Sequence, residues 1–219
     1  GSADMLPVIR SDAEYENAHP VLRAMMDNPI GRAFSREDVR RAVIPAYMGL
    51  IKQCDDQIGV LMAWLEATGR SEDTVIVLTS DHGDFLGDHW MGEKQFFHDT
   101  STRVPLIVCD PSPKADATRG TVSDALVESI DLVPTFVDMA GGTVADHILE
   151  GESLLAILHG TAVDTARQSV HCEYDYAPSP LAQRLGVSPR EAVLYMAATR
   201  RWKLIHAEGG FRPMLFDLE

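Results

Sequence analysis

The stretch "AYMGLIKQCDDQIGVLMAWLEATGRSEDTVIVLTSDHG" (Ala46–Gly83) holds both periodicities on which a fold assignment rests. Tyr47, Leu50, Ile51, Cys54, Ile58, Leu61, Met62 and Leu65 recur at helical spacing and predict one buried helical face. Upstream, Ser35 can cap that helix, with Glu37 and Asp38 in its first turn. Gly69 is a natural residue on which to end it. After a short link, "TVIVLTS" (Thr74–Ser80) is an unbroken apolar run, the pattern of a strand buried on both faces. A long helix, a short link and a buried strand make one unit of an α/β fold.

Working outward, "VPLIVCD" (Val104–Asp110) reads as a second buried strand, and "PSPKADATRG" as a surface loop. "TVSDALVESIDLVPTFVDMAG" predicts a short strand and then a helix that Ser129 or Asp131 caps, with Pro134 in its early turns. "GESLLAILHG" reads as a short helix ending at Gly160. Beyond it, "SVHCEYDY", "AVLYMAATR", "WKLIHAE" and "PMLFDLE" read as a one-faced antiparallel sheet, with a helical turn in the loop after the first run. The expected organisation is an irregular segment over 1–36 with a short helix, an α/β region over 37–165, and a small antiparallel β subdomain over 166–219. The α/β region would hold part of a mixed sheet flanked by helices. "GSADM" looks like the remnant of a cleaved tag (Gly1 and Ser2 above all), and the close at "MLFDLE" suggests a chain cut from a longer protein.

The 219 residues suit one sizeable domain, and 45% hydrophobic with 24% charged residues is ordinary globular composition. A formal net charge of −14 argues against a broad nucleic-acid-binding face. It also means that an anionic substrate needs local cations. No apolar run approaches the roughly 20 residues of a membrane span. Cys54, Cys109 and Cys172 are few, odd in number and widely spaced, which fits a reducing, cytoplasmic compartment rather than a disulfide framework.

The chemistry gathers after the first strand. Ligands of open α/β sheets sit beyond the carboxyl ends of strands, where Asp81 and His82 stand. A carboxylate and an imidazole there can ligate a divalent cation. Gly83 would let the backbone turn beside the ion. Thirteen residues past Asp81, Lys94 offers an ammonium to a phosphoryl or sulfuryl oxygen.

These residues carry a family resemblance. "TSDHGDFLGDHWMGEKQFFHDTSTRVPLIV" resembles the C-terminal signature of the sulfatase and phosphonate monoester hydrolase group of the alkaline phosphatase superfamily. "SIDLVPTFVDMAG", "LEGESLLAILHG" and "RRWKLIHAEGGFRPMLFDLE" resemble its later helix, turn and closing hairpin. The likeness runs from about Ala46 to Glu219, and the Asp81–Lys94 spacing with the "GDHW" run is closest to the phosphonate monoester hydrolase branch. The resemblance implies an alkaline-phosphatase-like fold and hydrolysis of small anionic esters. It implies one divalent ion (Mn, Ca or Mg) held partly by Asp81 and His82, with Lys94 on a substrate oxygen. It also implies a formylglycine nucleophile made from the cysteine of a C-x-P-S-R motif. Here the cysteines stand in "QCDDQ", "VCDPS" and "HCEYD", so that nucleophile lies outside this chain and the chain by itself is expected to be inactive.

The neighbouring residues have plainer readings. Asp88 and His89 are expected to hold the loop, Asp84 to orient His82 or serve a turn, and Arg103 to join a structural ion pair. Cys54 should lie in the core, while Asp55 and Asp56 should be solvated. His98 could face substrate but ranks low, and His147, His159, His171 and His206 have structural roles. Other readings of the whole are a sulfatase in the strict sense, a related metal-dependent phosphotransferase or mutase, and a noncatalytic truncated module. A truncated sheet would expose apolar surface and favour a homo-oligomer.

Overall fold

The computed structural model describes residues 7–145 and 147–219, so the tag-like "GSADM" lies outside it. The expected irregular N-terminal segment instead contains three short helices: α1 (Asp12–Glu16), α2 (Pro20–Met26) and α3 (Pro29–Phe34). Each starts at a side-chain cap. Ser11 accepts from the Glu14 N–H, His19 from Val21, and Asn28 from Ile30 and Gly31. Pro20 and Pro29, which look like breakers in sequence, occupy first helical positions where no N–H is needed.

The long helix α4 spans Glu37–Ala67, with Pro45 inside it. Ser35 does not cap it; Ser35 closes α3 and donates to the Arg32 carbonyl. The face predicted to be buried is largely in solvent. Leu50, Ile51, Ile58, Leu61 and Met62 are exposed, as is Cys54, and only Leu65 of that set is buried. The periodicity does mark a helix, but burial needs a partner. The main contacts of α4 with other elements lie near its two ends, to α3 and to the turn after Gly69.

The two strands of the first sheet, β1 (Ile76–Thr79) and β2 (Leu106–Cys109), pair antiparallel, with Ile76 opposite Cys109 and Thr79 opposite Leu106. Neither is buried on both faces as expected. Leu78 and Ile107 are exposed because no described layer covers that side. Helix α5 (Asp99–Thr102) precedes β2. The short strand expected after Thr121 does not form, and α6 (Leu132–Met139) follows with Pro134 in its first turn. Helix α7 (Leu155–Leu158) ends just before Gly160.

The second sheet is the expected antiparallel meander, β3 (Val170–Asp175), β4 (Val193–Ala198), β5 (Trp202–Ala207) and β6 (Met214–Asp217), in sequence order. Between β3 and β4, α8 (Pro180–Leu185) is capped by Ser179 and stopped by left-handed Gly186. Leu194 and Ile205 turn inward to a core completed by Val21, Met25 and Met26 of α2 and by Phe85, Phe96 and Phe97. Fully burying one such side chain contributes about 1.5–3 kcal/mol, so this cluster anchors the 85–97 segment firmly. Helices with two antiparallel sheets place the chain in the α/β class.

Candidate active site

Strand β1 ends at Thr79, and the chain then delivers Asp81 and His82 together. His82 Nε2 lies 3.3 Å from Asp81 Oδ2, and Asp81 Oδ1 accepts the His82 backbone N–H at 3.0 Å. His82 Nδ1 is 2.8 Å from the Gly83 carbonyl. A carbonyl only accepts, so Nδ1 carries the proton and Nε2 keeps its lone pair. That is the tautomer a metal ligand needs. Lys94 Nζ lies 2.9 Å from the same Nε2, so the three predicted site residues converge on one point. Their side chains are open to solvent, Asp81 by 83%.

Gly83 matters here through space rather than through an unusual backbone angle. A Cβ on it would come within 1.9 Å of the Thr100 carbonyl oxygen, while its N–H donates to the Ser101 carbonyl at 2.8 Å. The strand end is thereby pressed against the segment that follows Lys94. Ser101, buried, donates its hydroxyl to the Lys94 carbonyl at 2.7 Å. Lys94 is therefore positioned by two elements at once.

The loop between them is held under strain. Leu86, His89, Trp90, Glu93 and Phe96 all have positive φ without being glycine. Each such residue costs on the order of 1–3 kcal/mol and persists only where the surroundings over-determine it. They do so here. The Phe85 and Gly87 N–H groups donate to Glu93 and Met91 carbonyls, and Phe85 and Phe96 are fully buried. Asp88 accepts from the Ile9 N–H, and the His89 N–H donates to the Ile9 carbonyl, so this pair does hold the loop. Asp84 accepts from the Leu86 N–H in a turn and makes no bond to His82. Arg103 is mostly exposed and reaches Asp99 only at 3.9 Å. His159 bonds Asp110 at 2.9 Å and His171 bonds Ser169 at 2.9 Å, away from the site residues in sequence.

Two supports were not visible in sequence. Lys203 on β5, buried, donates to the Phe97 carbonyl at 2.9 Å and to Asp99 Oδ1 at 2.5 Å. Arg40 on α4, also buried, donates to the Leu86 carbonyl at 3.2 Å and pairs with Glu37. The first partners stand about a hundred positions apart, and local patterning carries no signal for such a contact. His98, half-buried, packs among Phe85, Phe96 and Phe216. Burial, then the neighbouring His89 and Lys203 charges, push its imidazole down to about 3, so it is neutral at physiological pH.

With this geometry in view, residues 11–142 match the sulfatase family, and residues 87–218 match the C-terminal region of N-sulphoglucosamine sulphohydrolase. The chain belongs to the sulfatase family. This sulfatase-family chain is 32% identical over 182 residues to the multifunctional alkaline phosphatase superfamily protein PehA of Trinickia caryophylli, covering 82% of this chain and 35% of that protein. It is 34% identical over 163 residues to the N-acetylglucosamine-6-O-sulfatase of Bacteroides thetaiotaomicron, covering 73% of this chain and 27% of that protein. Among solved structures, the phosphonate monoester hydrolase SpPMH from Silicibacter pomeroyi superposes with a TM-score of 0.85 at 29% identity, covering 97% of this chain and 44% of that one. The chain thus spans about a third of the curated relatives' length. Among its described residues, no helix is long and apolar enough to cross a membrane.

Sulfatase-family members generally use a divalent metal and formylglycine. The donors present fit such an ion: a carboxylate oxygen and an unprotonated imidazole nitrogen, which here accepts from the Lys94 ammonium, stand side by side at a strand end. They are two donors, where a catalytic site usually takes about three from protein.

Proposed function

We propose that this chain is the C-terminal part of a hydrolase of sulfate or phosphonate monoesters and supplies half of its active site. The observation that carries the reading is the convergence of Asp81, His82 and Lys94 beyond β1. Asp81 and His82 hold one divalent ion, which when bound neutralises charge developing on the ester. Lys94, on its Ser101-anchored loop, places a positive charge at a non-bridging oxygen of the substrate. Its ammonium supplies local positive charge in a chain whose net charge of −14 disfavours an anionic ester. The formylglycine nucleophile and the remaining metal ligands belong to the part of the protein outside this chain.

The kinship to SpPMH favours a phosphonate ester, and that to the glucosamine sulfatase favours a sulfate ester. The sites share this half, so the two reactions are separated by assay rather than by Asp81, His82 or Lys94. The chain alone, supplied with Mn²⁺ and aryl sulfate or aryl phosphonate esters, should give no turnover above buffer. The longer protein should turn one of them over and should lose activity in Asp81→Asn and His82→Gln variants. Turnover by the isolated chain, or unchanged activity in both variants, would defeat the reading.

A further inference from the structure

A second group of metal-ligating side chains lies in the same loop but uses none of Asp81, His82 or Lys94. Glu14 on α1, His89 and His98 each bring one donor atom, and the three lie within 4.8 Å of one another. Glu14 Oε1 is 2.6 Å from His89 Nδ1. The His89 and His98 rings stack with centroids 3.9 Å apart and planes within 4°. A second observation also points to a ligand. His98 Nε2 is buried and has no hydrogen-bond partner among the described residues. A buried polar atom without a partner costs on the order of 1–3 kcal/mol and calls for an explanation. The backbone adds a third. His89 and Trp90 are held at φ of 52° and 61°, and strain of this kind collects at ligand clamps.

We propose that Glu14, His89 and His98 form a further divalent-cation site of the zinc class, which ties α1 to the loop carrying Lys94. Two imidazoles and one carboxylate are a known donor set for zinc, and imidazole-rich sites favour it over magnesium or calcium. Glu14 contributes one negative charge toward the ion's two. The two rings lie parallel in a stack, so binding turns one imidazole out of it to bring both onto the ion. The aromatic side chains of Phe85, Phe96 and Phe216 around His98 form a dry wall on one side of the site. Because α1 also touches the 88–90 turn through Trp90 Nε1, which donates to the Ser11 carbonyl at 2.9 Å, the ion would reinforce an existing seam.

The test uses the chain carrying Asp81→Asn and His82→Gln, stripped with a chelator, so that the family's own metal position is disabled. Calorimetric titration with Zn²⁺ should find one saturable equivalent. Co²⁺ should bind with a d–d spectrum free of thiolate charge transfer, which rules out the three cysteines as ligands. Adding His98→Phe should weaken Zn²⁺ binding about a hundredfold or more, since even the loss of a residue that only orients a ligand costs about 10–100-fold. It should also abolish the rise in melting temperature that Zn²⁺ produces. If the His98→Phe chain does not fold by circular dichroism, Glu14→Gln decides the matter, and it should lose binding in the same way. No saturable equivalent in the Asp81→Asn/His82→Gln chain, a thiolate band with Co²⁺, or unchanged affinity in the folded variant would overturn the proposal.

Discussion

Gly83 shows how a single residue holds the site. Its missing Cβ lets the end of β1 close onto the Thr100 carbonyl, and that contact sets Asp81 and His82 against the segment that anchors Lys94. Gly83→Ala should force the two segments apart and destabilise the chain by about 1–3 kcal/mol, the usual cost of overpacking, as read by urea denaturation. Lys94→Ala should leave stability unchanged, because its side chain is exposed. In the longer hydrolase proposed above it should lower kcat/KM by about 10²–10³-fold, the range seen when one preorganised donor to a developing oxyanion is removed. Asp81, His82 and Lys94 could be nominated from the sequence, because strand-end position and residue type suffice to name candidate ligands, and the fold brings the three together. The reason for Gly83 was not legible there. An expected turn beside an ion proved to be a close approach across the fold.

At the scale of elements, α6 is fastened to the second sheet through one buried cluster. Arg167 Nη1 and Nη2 grip Asp131 at 2.5 and 2.7 Å, and Arg167 Nε reaches Glu128 at 3.1 Å. Glu128 Oε1 in turn accepts the His171 N–H of β3 at 2.5 Å. Burial pushes the Asp131 carboxyl up, but hydrogen bonds from Arg167 and from the Glu128 and Glu152 N–H groups outweigh it and hold the group below the usual carboxylate range. Asp131→Asn should cost about 3–5 kcal/mol, because it leaves Arg167 as a buried, half-paired charge. The sign of the pH dependence follows from the depressed value. The stabilisation is fully present above the unfolded-state pKa of about 4 and is lost as pH falls through the lower folded value. Denaturation measured between pH 6 and pH 2 (about the range in which carboxylates titrate) should therefore be steeper for the wild-type chain than for Asp131→Asn. The sequence marked Asp131 as a cap candidate. Its bond to Arg167 spans 36 positions and was set by the docking of α6, which no local pattern records.

The whole molecule carries an apolar surface that its own described residues do not cover. Leu50, Ile51, Val60, Leu61 and Trp64 on α4 are more than half or about half exposed, and Leu78 and Ile107 on the first sheet are exposed as well. Monomeric proteins seldom leave such faces open. The isolated chain should self-associate in size-exclusion chromatography with light scattering, and it should bind a hydrophobic dye. Leu50→Lys together with Leu61→Lys should shift it toward monomer and reduce dye binding, and a dye-silent monomer at micromolar concentration would contradict this. What the sequence by itself determined was the type of most regular elements, the α/β class and the one-faced second sheet, and it nominated Asp81, His82 and Lys94 as candidate site residues. Those follow from periodicity, caps and strand-end chemistry, all of which are local. Only the tertiary structure decided which faces are buried, how Lys203 and Arg40 brace the Lys94 loop, and that Glu14 meets His89 and His98. Burial and long-range pairing are properties of two surfaces in contact, and a pattern along the chain specifies only one of them.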